Sequence, residues 1–244
     1  MPYRRLPNTD SARLRALKTA LKKGKELPPF KMAFSQSTFS KVELFINNFE
    51  KSMSHYKTTY NIQIEKNKDY QAVHKKARLY LSHFIQVINM AISRGEMSEQ
   101  IRLAYGMDID ERKLPTLNTD KELIDWGKKI IDGETIRLGK GQPPVTNPTI
   151  AVVKVRYHNF VDAFNHQKIL QQNTQRAQLE LDSLRKRADE IILNIWNEVE
   201  ETYSHHPDDE RRDLATQYGV VYVYRKNELK GLQLFVSGLA DYSV

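Results

Sequence analysis

The sequence contains no cysteine. A disulfide framework, a thiolate metal centre and a cysteine nucleophile are all excluded by that absence. Glycine and proline are sparse, 10 and 9 among 244 residues, which disfavours a turn-rich β-fold. Long apolar runs are missing as well. No stretch approaches the roughly 18 apolar residues from which a spanning helix is read. The opening MPYRRLPNTD has no apolar segment of the kind that forms the core of a secretory signal. A cytoplasmic location is the expectation that follows.

Catalytic fingerprints are also missing. There is no GxGxxG, no GxxxxGK[ST], no GxSxG, no HExxH and no EF-hand loop. A carboxylate-bridged metal centre in a helical bundle needs Glu-x-x-His pairs, and none occurs. No bound cofactor is expected, and the residues carry no signature of a family with a described activity.

What the chain does have is an internal echo. Asn8-Thr9-Asp10 recurs as Asn118-Thr119-Asp120. LPPF at Leu27–Phe30 is answered by QPPV at Gln142–Val145, and KVELFINNF from Lys41 by RYHNFVDAF from Arg156. EQIRLAYGM from Glu99 resembles RRDLATQYGV from Arg211, with Tyr105-Gly106 matching Tyr218-Gly219. The matches keep one order, which reads as a duplication. Repeat unit 1 is 1–112 and repeat unit 2 is 113–219, followed by a distinct segment, 220–244. The whole is read as one compact domain, because no Gly/Ser-rich linker separates the halves.

Each repeat begins with a helix start. Asn8, Thr9 or Asp10 supplies the N-cap of a short helix near 11–23, and Gly24 is expected just past its end. A second short helix is expected near 120–132. Then Phe39, Val42, Ile46, Phe49, Met53, Tyr56 and Tyr60 step by three and four, a heptad seam. Glu65–Asp69 is polar and reads as a turn. The seam resumes at Tyr70, Val73, Ala77, Tyr80, Phe84, Val87 and Ala91, and Gly95 stops it. The second repeat offers Val153, Tyr157, Phe160 and Phe164, a turn near Asn173-Thr174, then Leu181, Leu184, Ala188, Ile191 and Ile195. The fold class expected is all-α: duplicated antiparallel helical hairpins forming a four-helix bundle, with extra short helices. Val220–Arg225 and Leu232–Ser237 are β-rich and read as a small C-terminal β-hairpin.

Candidate chemistry is thin. Lys+Arg exceed Asp+Glu by 38 to 30, and the excess lies in the first half. Arg4, Arg5, Arg13, Arg15, Lys18, Lys22 and Lys23 make a basic run that an anion or nucleic-acid backbone would suit; the ordinary reading is a solvated helix face. His158, Asp162 and His166 stand at i, i+4 and i+8. Their span of about 12 Å at 1.5 Å per residue is too long for all three to hold one metal ion well. RLGKGQPP, from Arg137 to Pro144, reads as a loop with a weak claim to a phosphate. SHHPDDERR, from Ser204 to Arg212, reads as the capped start of a short helix, with Asp208 or Asp209 as N-cap. The reading that results is a non-enzymatic helical scaffold or protein-interaction protein, with a protein partner or a second copy of itself. Nucleic-acid binding by the basic N-terminal half is the alternative, and a metal or small-molecule site in the bundle the third.

Overall fold

The computed structural model describes residues 2–109 and 113–225. It is mostly helical: α1 (Asp10–Glu26), α2 (Gln36–Ser93), α3 (Ile101–Ala104), α4 (Asp120–Gly139), α5 (Ile150–Thr202) and α6 (Asp208–Thr216), with a 3-10 turn at Pro29–Lys31. Two short strands, β1 (Tyr3–Arg4) and β2 (Tyr222–Val223), pair antiparallel with Tyr3 opposite Val223 and Arg4 opposite Tyr222. No helix among the described residues is long and apolar enough to cross a membrane.

The echoed Asn-Thr-Asp phrases both start helices, and in both the cap is the threonine. Thr9 Oγ1 accepts from the Ala12 amide at 3.2 Å. Thr119 Oγ1 accepts from Glu122 N, while the Glu122 carboxylate accepts from the Asn118 and Thr119 amides at 2.9 and 3.0 Å. That reciprocal arrangement is a capping box. The echoed Tyr-Gly pairs close helices. Gly106 and Gly219 take φ of +65° and +86°, the left-handed region open to glycine. The next amides, of Met107 and Val220, reach back to the carbonyls of Arg102 and Ala215. Gly95 ends α2 in the same way, as expected.

The largest departure from expectation concerns the turns. Residues 65–69 and 173–174 are helical, so α2 runs unbroken for 58 residues and α5 for 53. Neither helix contains a single glycine or proline to stop it. The polarity of Glu65–Asp69 reflects solvation; Lys66 and Asp69 pair along the helix at 3.6 Å. Gly24 also differs: it lies inside α1, where a Cβ would meet the Phe39 ring at 2.8 Å. It serves close packing and does not terminate the helix. The N-cap of α6 is Pro207, without a side-chain cap, and Asp208, Asp209 and Glu210 fill the first turn. The β-rich Val220–Arg225 segment does form a strand, but its partner is Tyr3–Arg4. The other half of the expected hairpin, Leu232–Ser237, lies outside the described residues.

Contacts divide the chain into two units whose boundaries differ from those of the repeats: Met1–Thr58 with Gln175–Val244, and Thr59–Thr174. In the first, Leu17, Val42, Phe49, Ala188, Ile192, Ile195, Trp196, Val199 and Tyr218 form the buried core. α1 is tied to α5 by two guanidinium–carboxylate pairs, Arg13 on Asp189 and Arg185 on Asp10. The Glu198 carboxylate accepts from the Ser35 amide at 2.5 Å and the Thr38 hydroxyl at 2.6 Å, satisfying the free start of α2. In the second unit the core is Tyr70, Leu81, Phe84, Ile85, Ile88, Tyr105, Leu123, Ile130, Val153 and Phe160. Tyr70, Phe84, Val153 and Phe160 belong to the heptad seams, whereas Leu81, Ile85, Ile88, Tyr105, Leu123 and Ile130 do not. Tyr60, a seam residue, is 45% exposed.

Candidate functional site

Burial in the second unit uses one face of α2 and one face of α5. Side chains one position off those faces are left beside a groove. Its lining is Leu79, Tyr80 and His83 from α2, and Asn147, Pro148, Thr149 and Val152 from the start of α5 and the turn before it. The groove holds about 710 Å³. Leu79 is 62% exposed and Val152 39%, so its apolar walls face solvent. Val155, 56% exposed, stands one turn further along α5. The start of α5 is fixed by the Thr149 carbonyl, which accepts from the Val152 and Val153 amides at 3.1 and 3.2 Å. At the other end the Arg156 guanidinium lies over the Tyr80 ring, 5.4 Å from its centroid. Arg156 Nε is buried there and has no hydrogen-bond partner among the described residues. A mostly apolar concavity with a few convergent polar groups is the form that binding sites take.

A buried ionic cluster lies elsewhere in the same unit. Glu134 and Arg137 are 0% and 3% exposed and form a bidentate pair at 2.6 and 2.7 Å. The Tyr105 hydroxyl donates to Glu134 Oε2, and the Val145 amide donates to Oε1 at 3.3 Å. Burial pushes the Glu134 carboxyl up, but the Arg137 and Tyr105 donors outweigh it and hold it below the ordinary range. Burial and the adjacent carboxylate raise the Tyr105 phenol, so it stays protonated as a donor. Both Glu134 oxygens are occupied, so the cluster reads as structural. Sequence reasoning missed it. Arg137 opens the RLGKGQPP stretch read as a loop, yet Arg137–Gly139 is the last turn of α4. The one signal available was the i,i+3 spacing of Glu134 and Arg137.

The basic run is dispersed into ion pairs. Arg4 meets Asn197 and Glu200, Arg13 meets Asp189 and Asp10, Lys18 meets Glu50 at 2.5 Å, and Lys23 meets Glu26 at 3.6 Å. Arg5, Arg15 and Lys22 are exposed and have no ion-pair partner among the described residues. Arg5 and Arg15 share a cleft of about 410 Å³ with Asn8, Thr19 and Gly219. His158, Asp162 and His166 are exposed along one side of α5. No group of three His, Asp or Glu among the described residues could hold a metal ion. His206 pairs with Glu210 at 3.4 Å, and Arg211 and Arg212 pair with Asp208 and Asp209.

Comparison with protein-family models, with curated proteins and with solved structures gives no match to this chain.

Proposed function

We propose that this chain is a non-enzymatic helical interaction protein, and that its partner is another protein. The observation that carries the reading is the groove at Leu79, Tyr80 and Val152, an exposed apolar concavity on α2 and α5. Large apolar side chains gathered at a concavity mark contact surfaces more than scattered ones do. We also infer that the chain is an internal duplication. Its support is the paired threonine caps, the paired Tyr-Gly helix ends, and the order short helix, long helix, short helix that occurs twice. The bundle reading takes the same form: four helical segments contribute to each core, from α1, α2, α5 and α6 in one unit and α2, α3, α4 and α5 in the other. The nucleic-acid alternative draws support from Arg5 and Arg15 alone in their cleft, and loses it at the four cations already paired.

Because the chain has no cysteine, a single thiol can be placed at will. Leu79→Cys labelled with a benzophenone is expected to give a discrete protein adduct on irradiation in a lysate of the producing cells. The same label at Ile136→Cys, exposed on α4, should not, and Val152→Glu should remove the adduct at position 79. Adducts no stronger at 79 than at 136 would overturn the reading.

A further inference from the structure

The groove is framed by charge of one sign. From Tyr70 to Ser93 of α2 there is no aspartate or glutamate, while Lys75, Lys76 and Arg78 fall within the same stretch. From Gly141 to Val161 there is again no carboxylate, and Lys154 and Arg156 are present. On α2, Lys76 lies three and four residues before Leu79 and Tyr80, so it shares their face, and Lys75 flanks it. On α5, Arg156 lies four residues past Val152 and shares that face. None of Lys75, Lys76, Arg78, Lys154 and Arg156 has an ion-pair partner among the described residues. Elsewhere in the chain Arg4, Arg13, Lys18, Lys23, Lys25 and Arg185 each meet a carboxylate.

We propose that the groove between Leu79–His83 and Asn147–Val152 takes an acidic, amphipathic segment of a partner protein. Apolar side chains would enter the groove and carboxylates would meet Lys75, Lys76 and Arg156. This rests on the protein-interaction reading above and adds the chemistry of the partner. Two features favour such a segment over other polyanions. The site is concave, so it receives a ridge of side chains and has no protrusion to insert into a bilayer. The Tyr80 ring already stacks with Arg156, so it is less free to take a nucleobase. Arg156 is also unusual in having a buried, unpartnered donor beside the groove. Complementary charge would act mainly on the association rate and on the choice of partner.

The test uses the full chain and two labelled synthetic 18-residue helical peptides. Both carry leucine along one face; one has glutamate at the flanking positions and the other lysine. Fluorescence anisotropy is expected to show binding of the glutamate peptide at least tenfold tighter than the lysine peptide, weakening as salt rises. Lys75→Glu with Lys76→Glu should weaken it at least tenfold and should let the lysine peptide bind. Leu79→Asp should abolish binding of the glutamate peptide, with circular dichroism confirming an intact fold in each variant. Equal affinities for the two peptides, no binding of either, or indifference to the charge reversals would overturn the proposal. So would displacement of the glutamate peptide by vesicles of phosphatidylserine and phosphatidylcholine or by a 20-base-pair DNA duplex. If the acidic preference fails while the adduct at position 79 persists, the inference falls and the interaction reading stands. If the adduct is absent as well, both fall.

Discussion

A carboxylate taken out of water must be held by donors, and Glu134 has four: the Tyr105 hydroxyl, two nitrogens of Arg137 and the Val145 amide. Removing the cation leaves the charge without its counterpart. Arg137→Met is expected to cost about 3–5 kcal/mol in urea unfolding, the range for one partner lost from a buried pair. The double variant Glu134→Leu, Arg137→Met should recover much of that loss, since no charge is then stranded. The pH dependence has a definite sign. Glu134 titrates lower in the folded protein than in the unfolded chain, so its contribution is complete above the unfolded value near 4.3. It is lost as pH falls through the lower folded value. Glu134→Gln should therefore flatten the acid limb of the stability curve, and an unchanged limb would contradict this account. None of this was legible in the sequence: a glutamate and an arginine three apart near a helix end look like a surface pair, and only the three-dimensional contact with Tyr105 and Val145 shows otherwise.

Glycines inside helices set how closely the elements of each unit approach. In α4, a Cβ at Gly133 would strike the Ala104 carbonyl oxygen, and one at Gly127 the Tyr157 ring. A carbonyl cannot rotate away as a side chain can. Gly133→Ala is expected to lower stability by about 1–3 kcal/mol despite the better helix propensity of alanine. Gly139→Ala, with open space around it, should be neutral or slightly stabilising. Thermal unfolding followed by circular dichroism separates the two. The sequence offered Gly24 as a helix end for a sound reason, since glycine favours that position. The helix continued because Phe34 and Phe39 pack against the gap it leaves. The unbroken course of α2 was only partly legible. The interval from Tyr60 to Tyr70 steps as three, four and three through Gln63 and Asn67, and the next step, to Val73, is again three, so the seam slips phase there while the helix continues. The polar stretch Glu65–Asp69 reads as a turn in sequence and is a solvated length of helix in the structure. Lys68→Pro tests the difference. In a continuous helix it removes a hydrogen bond and clashes one turn back, at a cost of about 3 kcal/mol. In a turn it would be tolerated, and an unchanged melting curve would count against the helix.

At the scale of the whole molecule, the heptad seams named part of each core, and the paired caps foretold the starts of α1 and α4. Two things lay beyond a linear reading. The partner of Tyr222–Val223 could not be found by scanning neighbours, because Tyr3–Arg4 is separated from it by nearly the full chain. The groove was hidden for a related reason. Leu79 falls beside the seam positions Tyr80 and Ala77, and whether such a leucine is covered depends on where every other helix lies. The ion pairs of the basic run were out of sight for the same reason, since its acidic partners Glu50, Asp189 and Glu200 come from distant stretches of sequence.

The pairing of β1 with β2, and of α1 with the far end of α5, also bears on the order of events during synthesis. The unit Thr59–Thr174 is one uninterrupted length of chain and has its whole core as soon as that length has emerged. The other unit does not. Its first 58 residues leave the ribosome with Leu17, Val42 and Phe49 uncovered, and the residues that cover them begin at 175. At about 5–20 residues per second, the stretch from residue 58 to residue 225 takes roughly 10–30 s to make. For that interval the nascent chain carries an apolar surface with no intramolecular partner, and it is the segment on which a holding chaperone would act.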